Sequence, residues 1–217
     1  MSSINKFSVL ALTLAATSVF AGPVVSFTSF GDLAAANFGG AGIPNNAVAI
    51  TQLNSVTLGL TATPRFSTPP VTNNGAGMFH AVNGAFAAGD NLAKWNFDFY
   101  VGGTNLSSYT YKLFGDYSAT VGDADTTYID ISSYLSKSDS LLTANTIQNS
   151  ENLGFGTDFA QFDPNVAGQY GFILAAFQNG AEVGRSAILV NVPEPASLAL
   201  VGVALLGMVG SMRRSRG

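Results

Sequence analysis

Apolar and polar residues alternate with the period of a β-strand along the middle of the chain. Trp95, Phe97 and Phe99 alternate with polar residues in the run 91–101, and the run 109–113 repeats the pattern with tyrosine and leucine. A period of two residues predicts strands with one buried face. The aromatic side of both runs is therefore predicted to pack into a core.

A β-hairpin is predicted near the end of the chain. Two runs rich in β-branched and aromatic residues, 169–178 and 181–192, flank the dipeptide Asn179-Gly180. Asn and Gly both tolerate positive φ, which a two-residue hairpin turn requires. The second strand of this hairpin is expected to run directly into the proline-containing segment that follows it.

The remaining pattern predicts short strands separated by turns. A further strand is predicted over 55–61, ended by Pro64, and residues 32–37 have room for one turn or short helix. Three segments rich in Gly, Pro or Asn are predicted to be loops: 66–77, 84–91 and 102–105. The third of these is predicted to be a hairpin turn or a short loop. Short strands without a sustained helical period predict an all-β fold, an antiparallel β-sandwich of immunoglobulin-like or jelly-roll-like type.

The beginning of the chain has the pattern of a secretory signal peptide. Lys6 precedes an apolar run from Phe7 to Phe20, and small residues precede a predicted cleavage between Ala21 and Gly22. The alternative is a buried N-terminal helix. Residues 1–21 are therefore predicted to be a signal peptide that signal peptidase removes.

A second apolar block lies near the other end. Residues 196–212 are seventeen residues without a charge, the short limit for a membrane-spanning helix at about 1.5 Å per residue. Arg213, Arg214 and Arg216 follow, and a cationic cluster beside an apolar span stays on the cytoplasmic side. This pattern predicts a transmembrane helix that holds the exported body outside, and a core helix is the alternative.

Pro193-Glu194-Pro195 separates the body from this apolar block. Two prolines so close together exclude helix and sheet pairing, so the segment is predicted to be extended and exposed. The tripeptide, the apolar helix and the arginine cluster of residues 192–217 together resemble the PEP-CTERM sorting signal of Gram-negative bacteria. The resemblance implies recognition by an exosortase, a membrane-embedded processing enzyme, and a cell-surface or extracellular destination associated with exopolysaccharide and biofilm matrix.

Three parts of the chain follow from these patterns. Residues 1–21 are the signal peptide, 22–192 the β-sandwich ectodomain and 193–217 the sorting signal. The segments 148–155 and 162–177 also resemble, more loosely, a recurrent ectodomain pattern among PEP-CTERM proteins, which implies a secreted sandwich and transfers no functional residues. The inner membrane is then a transient location of the precursor.

Composition and charge exclude several classes of function. The chain has a formal charge of −4, and in the predicted body five basic against twelve acidic side chains give −7. A binder of nucleic acid needs a basic face, so nucleic acid is not an expected partner. The absence of cysteine excludes disulfides and thiolate metal sites, and a single histidine excludes a multi-histidine metal site.

The best candidate for a metal site is the acidic run 122–130. Asp123, Asp125 and Asp130 offer carboxylate oxygens, which Ca²⁺ prefers, although Thr127 and Tyr128 break the EF-hand pattern. The alternative is an acidic loop between strands, and no other cofactor is predicted.

Catalytic chemistry is weakly indicated. His80 is the one histidine and lacks a nucleophile-elbow motif nearby, so a solvent-facing or hydrogen-bonded strand histidine is the simpler interpretation. We expect a non-enzymatic structural protein of the cell surface or matrix. The alternative is a carbohydrate-binding module whose aromatic side chains stack on sugar rings, and a secreted hydrolase is the third hypothesis. The aromatic candidates, which at strand spacing are more often core, are Trp95, Phe97, Phe99, Tyr109 and Tyr111.

Overall fold

A computed structural model describes six stretches of the chain. They are residues 25–38, 45–66, 69–116, 128–136, 141–155 and 162–194. Within them the protein consists of twelve β-strands in two six-stranded sheets, with two short 3-10 turns, Leu106–Ser108 and Ser132–Ser136. The prediction of an all-β, two-sheet body is confirmed.

The first sheet has the strand order β1-β2-β3-β6-β10-β9. All of its neighbouring strands are antiparallel. Its strands are β1 (Ser29–Gly31), β2 (Val48–Gln52), β3 (Val56–Pro64), β6 (Trp95–Gly103), β9 (Leu141–Thr143) and β10 (Thr146–Glu151).

The second sheet has the order β4-β5-β12-β11-β7-β8. Its pairs are antiparallel except that β5 runs parallel to β12, so the expectation of a wholly antiparallel sandwich is wrong at this one pair. Its strands are β4 (Thr72–Asn73), β5 (Met78–His80), β7 (Thr110–Asp116), β8 (Tyr128–Asp130), β11 (Gly168–Gln178) and β12 (Ala181–Val192).

The predicted hairpin around Asn179-Gly180 is confirmed. Strands β11 and β12 pair from Gln178 opposite Ala181 to Gly168 opposite Val192. Asn179 has φ of 52° and Gly180 has φ of 81°, the left-handed backbone that this turn requires of both residues. The turn sets the register of the first two residue pairs, and a β-bulge between Ala176 and Phe177 shifts the register by one residue along the rest of the two strands.

The segment 102–105 does not close a hairpin. Strand β6 pairs with β3 and β10 in the first sheet, whereas β7 pairs with β11 and β8 in the second. The predicted alternative, a short loop, is correct in part: Gly102 and Gly103 still belong to β6, and residues 104–109, which contain the 3-10 turn, carry the chain from one sheet to the other. Residues 34–35 form the turn predicted within 32–37, and the predicted loop 66–77 contains the two-residue strand β4.

The core lies between the sheets and contains a cluster of packed aromatic rings. The rings of Phe97 and Phe172 stack with centroids 4.4 Å apart, and Phe97 lies 6.0 Å from Tyr134. Trp95 contacts the start of β11 through Tyr170 and Phe172, at 5.6 and 6.1 Å. These side chains are at most 3% exposed. Their contacts place the start of β6 directly over the start of β11.

The outer face of the first sheet is also covered in part. Ala36 and Phe38 pack with Tyr100 and Val48 on that face. The backbone N–H of Asn37 donates to the side chain of Gln148. Eight of the nine residues of β6 are buried, so this strand is buried on both of its faces.

Candidate functional site: the end of the sandwich where the chain leaves

The last strand delivers the chain to one end of the sandwich. Val192 pairs with Gly168 at the end of β12 and is 2% exposed, whereas Pro193 and Glu194 directly after it are exposed. Proline has no N–H to donate, so Pro193 cannot extend the ladder. The described chain therefore changes within one residue from buried strand to exposed segment.

The first sheet brings its own loops to this same end. Pro64, the last residue of β3, pairs with Trp95, the first residue of β6. Trp95 lies against Tyr170 near the start of β11, which pairs with the last residues of β12. We call this region the exit end and define it by residues 65–66, 82–94, 152–155, 163–167 and 192–194.

Hydrogen bonds between loops hold the exit end together. The Asn83 side chain donates to the carbonyl of Asn165 at 2.9 Å, and the N–H of Gly84 donates to that of Pro164 at 2.8 Å. Lys94 Nζ donates to the carbonyl of Asn83 at 3.3 Å. These contacts join the loop before β6 to the loop before β11, so the exit end spans both sheets.

Arg65 is surrounded by phenylalanine rings at the exit end. Its guanidinium carbon lies 5.0 Å from the ring centroid of Phe66, 5.2 Å from Phe86 and 5.0 Å from Phe155. Such distances are typical of cation–π contacts. Phe66 is 73% exposed and has φ of 66°, which is uncommon for a bulky residue. No pattern in the sequence predicts this cluster, because its members come from three separate loops and follow no period.

Exposed apolar side chains concentrate at the same end. Among the described residues five large apolar side chains are exposed, and four of them belong to the exit end: Phe66, Val82, Phe86 and Val166. The fifth, Val183, lies near the opposite tip, close to the hairpin turn at Asn179-Gly180. Within the described stretches, the exposed large apolar side chains are therefore concentrated at the end from which the C-terminal segment departs.

Of the predicted metal ligands only Asp130 lies within the described residues. Its Oδ1 accepts hydrogen bonds from the N–H and the hydroxyl of Ser132, and Lys112 Nζ lies 3.7 Å from its Oδ2. The Ser132 hydroxyl and N–H, aided by Lys112, lower the pKa of Asp130, against a smaller opposing effect of burial. Asp123 and Asp125 lie outside the described residues. The part of the chain that is described holds no group of three or more His, Asp or Glu side chains able to bind a metal.

Replacing Asp130 by Asn is expected to destabilise the protein by about 1 kcal/mol at pH 7, because the negative charge that strengthens the hydrogen bonds from Ser132 and attracts Lys112 is lost. A lowered carboxyl pKa means that this stabilisation is present above the ordinary pKa and disappears as the pH falls through the folded-state value. Urea unfolding at pH 7 and pH 3 measures both effects. Asp32→Asn, which removes a charge from a surface turn, is the matched control; equal stability of both variants would contradict the capping role.

A buried polar group lies on the outer face of the first sheet. Asp98 in β6 pairs with Thr61 of β3 and with Ser150 of β10, and it is 0% exposed. Within the described structure neither of its carboxyl oxygens has a hydrogen-bond partner of normal geometry, and neither does the hydroxyl of Thr63. Asn96 next to it donates to the Ser150 hydroxyl at 3.0 Å. The sequence pattern predicts only one buried face for β6, and this expectation is wrong.

Burial dominates the ionisation of Asp98. It raises the pKa of this carboxyl from 3.8 to about 8. The hydroxyls of Ser150 and Thr63 oppose the effect in part, and the carboxylate of Glu151 adds to it. A carboxyl in such surroundings is favoured in its neutral form. The residue has the burial of a structural group and no opening to solvent, so it is not a candidate for catalysis.

The predicted strand aromatics are divided between core and partly buried positions. Trp95, Phe97 and Phe99 are buried in the core, so they cannot form a sugar-stacking platform. Tyr109 and Tyr111 are partly buried, and the Tyr111 hydroxyl donates to the carbonyl of Leu106 at 3.1 Å. The core interpretation is confirmed for the three β6 residues. His80 lies on β5 and is exposed, as expected for a strand histidine.

The predicted processing residues lie partly outside the described structure. Pro193 and Glu194 are described, while Ala21, Gly22, Pro195, Arg213, Arg214 and Arg216 lie outside the described residues. The predicted signal peptide and the apolar block 196–212 lie outside them as well. No helix in the described stretches is long and apolar enough to cross a membrane.

Comparison with known proteins identifies the C-terminal segment. Residues 191–214 match the PEP-CTERM protein-sorting motif, which begins at the last two residues of β12. No curated protein and no solved structure matches the chain. The match spans the exposed Pro193 and Glu194 together with the apolar block and two of the arginines, and it bears out the resemblance of the sequence to this signal. The exit end is thus the place where the β-sandwich joins a PEP-CTERM sorting motif of the kind that exosortase recognises.

Proposed function

We propose that the protein is made as a membrane-anchored precursor and exported, and that it is delivered to the cell surface or extracellular matrix as a structural protein without catalytic activity. The observation that carries the proposal is the PEP-CTERM motif at residues 191–214. In a Gram-negative cell this motif implies export and processing by exosortase. Signal peptidase is the second processing enzyme, and it acts between Ala21 and Gly22.

The geometry of the exit end supports access by a processing enzyme. Val192 completes the ladder with Gly168, and the next two residues are already exposed. An enzyme that reads Pro193 and Glu194 can reach them without breaking a strand pair, because the last paired residue precedes them. Processing of the folded precursor is therefore compatible with an intact sandwich.

The positions of the candidate functional side chains support the proposed structural role of the body. The aromatic residues of β6 fill the core, and Asp130 caps a turn. His80 is exposed on strand β5. An acidic body with a charge of −7 is compatible with bridging by cations to an anionic exopolysaccharide, which is the partner we propose for it in the matrix.

The sorting step is tested with variants of the motif in a Gram-negative host that has an exosortase. Replacing Pro193, Glu194 and Pro195 by Ala is expected to leave an unprocessed precursor in the membrane fraction, because the residues that exosortase recognises are gone. The wild-type protein is expected in the surface or matrix fraction with its C-terminal segment removed. Immunoblots of the fractions, with mass spectrometry of the C-terminus, measure both results.

A matched control replaces two other exposed or partly exposed prolines, Pro69 and Pro70, and is expected to sort normally. Deleting residues 193–217 should release the body without anchoring. Unchanged processing and localisation of the Ala variant would contradict the sorting role of the tripeptide. Wild-type protein found free in the medium and absent from washed matrix would contradict the matrix role alone.

A further inference from the structure

The exit end must stay close to the membrane while the precursor is anchored. Only residues 193–195 separate Val192 from the apolar block that begins at Ala196. Whatever their conformation, four residue steps cannot span more than about 14 Å. Because Val192 lies at the exit end, this end faces the bilayer and lies within reach of its headgroup region, provided that the proposed membrane anchoring is correct.

The side chains of the exit end suit that location. Phe66 and Phe86 are exposed, with ring centroids 5.2 Å apart, and Val82 and Val166 are exposed on loops that hydrogen bonds join. Phenylalanine is among the apolar residues with which protein surfaces enter the boundary between the headgroups and the acyl chains. Arginine combines with them there, because its apolar stem and planar head tolerate a partly apolar environment. Exposed apolar residues gathered at one end of a soluble body indicate a contact surface.

We propose that the exit end is a lipid-contacting surface that rests on the bilayer in which residues 196–212 are anchored. Phe66, Phe86, Val82 and Val166 enter the headgroup region, and Arg65 lies among the rings at the boundary. This inference rests on the proposed function, since it needs the anchored precursor. It adds a second membrane contact, made by the folded body itself, which orients the sandwich and holds Pro193 and Glu194 at the membrane surface.

Charge does not drive this contact. On the exit-end loops Arg65 and Lys94 are accompanied by three acidic side chains, those of Asp90, Asp163 and Glu194. The surface therefore lacks the basic patch that binding to anionic lipid requires. Burial of apolar side chains is the driving force, so an uncharged phosphatidylcholine bilayer is a sufficient probe.

The test uses the full-length chain, which contains no cysteine, so that single introduced cysteines take an environment-sensitive NBD label. Val166→Cys places the label at the exit end, and Val183→Cys is the matched control at the opposite tip, with exposures of 44% and 42% in the native valines. Val183 and Val192 lie nine residue steps apart on β12, or about 30 Å along the strand. Ser211→Cys reports on the anchor. Each protein is reconstituted in phosphatidylcholine vesicles that carry nitroxide-labelled lipid.

Several-fold stronger quenching at position 166 than at position 183 is expected, with strong quenching at 211. Replacing Phe66 and Phe86 by Ser in the Val166→Cys protein should weaken the quenching at 166 and leave that at 211 unchanged. If the label at position 211 is quenched while the label at position 166 is quenched no more than the one at 183, the proposed lipid contact is contradicted and the membrane anchoring is supported. If 211 is not quenched, the anchoring fails, and the lipid contact fails with it. Emission from the buried Trp95 shows that each labelled protein is folded.

Discussion

Replacing Asp98 by Asn is expected to stabilise the protein by up to about 5 kcal/mol at pH 8, an unusual result for a substitution in a fully buried strand. The Asp98 carboxyl is 0% exposed, and burial raises its pKa from 3.8 to about 8. A difference of one in pKa between the folded and the unfolded chain corresponds to about 1.4 kcal/mol of unfolding free energy. An amide of the same shape has no ionised form, so it avoids the cost of placing a charge in the interior.

The sign of the pH dependence follows from the raised pKa. Below pH 3.8 the carboxyl is neutral in the folded and unfolded chains, and it contributes no difference. Between 3.8 and about 8 the unfolded chain loses this proton while the folded chain keeps it, so rising pH favours unfolding. Above that interval both states are ionised and the penalty is constant. The wild-type protein therefore loses stability from acid toward alkaline pH at this site.

Urea unfolding of the full-length chain at pH 5 and pH 8 measures the effect, with Trp95, the single tryptophan, as the fluorescent reporter. The gain in stability of Asp98→Asn over the wild type should be larger at pH 8 than at pH 5. Asp130→Asn is the control of opposite sign, because it removes a carboxylate whose pKa is lowered. If Asp98→Asn were instead the less stable protein at pH 8, the native carboxylate would be ionised and held by a partner.

Local signals in the sequence were sufficient for the elements whose structure is local. The turn at Asn179-Gly180 requires left-handed backbone at both residues, and this dipeptide supplies it without reference to the rest of the fold. The alternation in β6 likewise predicts a strand with its aromatic face in the core. The sorting motif was readable for the same reason, since it is a continuous segment with its own composition.

The local pattern of the sequence does not show which strands pair with each other, nor whether the second face of a strand is buried. The segment 102–105 has the composition of a hairpin turn, but its first two residues belong to β6, which pairs with β3 and β10, distant in sequence. The polar side of β6 was predicted to face outward. Near Tyr100 it is buried because residues 33–38 cover the sheet. The burial of Asp98 thus depends on tertiary packing, which the periodicity of the sequence does not reveal.

The exit end is predictable only in part, and for a similar reason. The composition of the segment around Pro193 and Glu194 predicts that it is exposed. Arg65, Phe86 and Phe155, in contrast, come together from three separate loops. Their contact depends on the pairing of Pro64 with Trp95, which brings the end of β3 beside the start of β6. A charged residue beside a phenylalanine in a loop carries little information until such pairing is known.

Replacing Phe97 by Ala is expected to cost about 3–5 kcal/mol of unfolding free energy, enough to leave a domain of this size marginal. Phe97 is 0% exposed, and its ring stacks on Phe172 at 4.4 Å with an angle of 16° between the planes. Tyr134 lies on it as well, at 6.0 Å. The cavity left by the ring would be lined by rigid aromatic neighbours, which cannot collapse into it without moving both sheets. Urea unfolding followed through Trp95 measures the loss.

Phe66→Ala is the matched control, because it removes the same atoms from a ring that is 73% exposed. We expect it to cost at most about 1 kcal/mol, the size of an exposed cation–π contact such as the one with Arg65. Comparable losses for the two variants would contradict the division of aromatic residues between core and surface. The expected difference has a functional meaning: the core rings of β6 are committed to the fold and cannot bind an external ligand, whereas the exposed rings of Phe66 and Phe86 can contact one at little cost in stability.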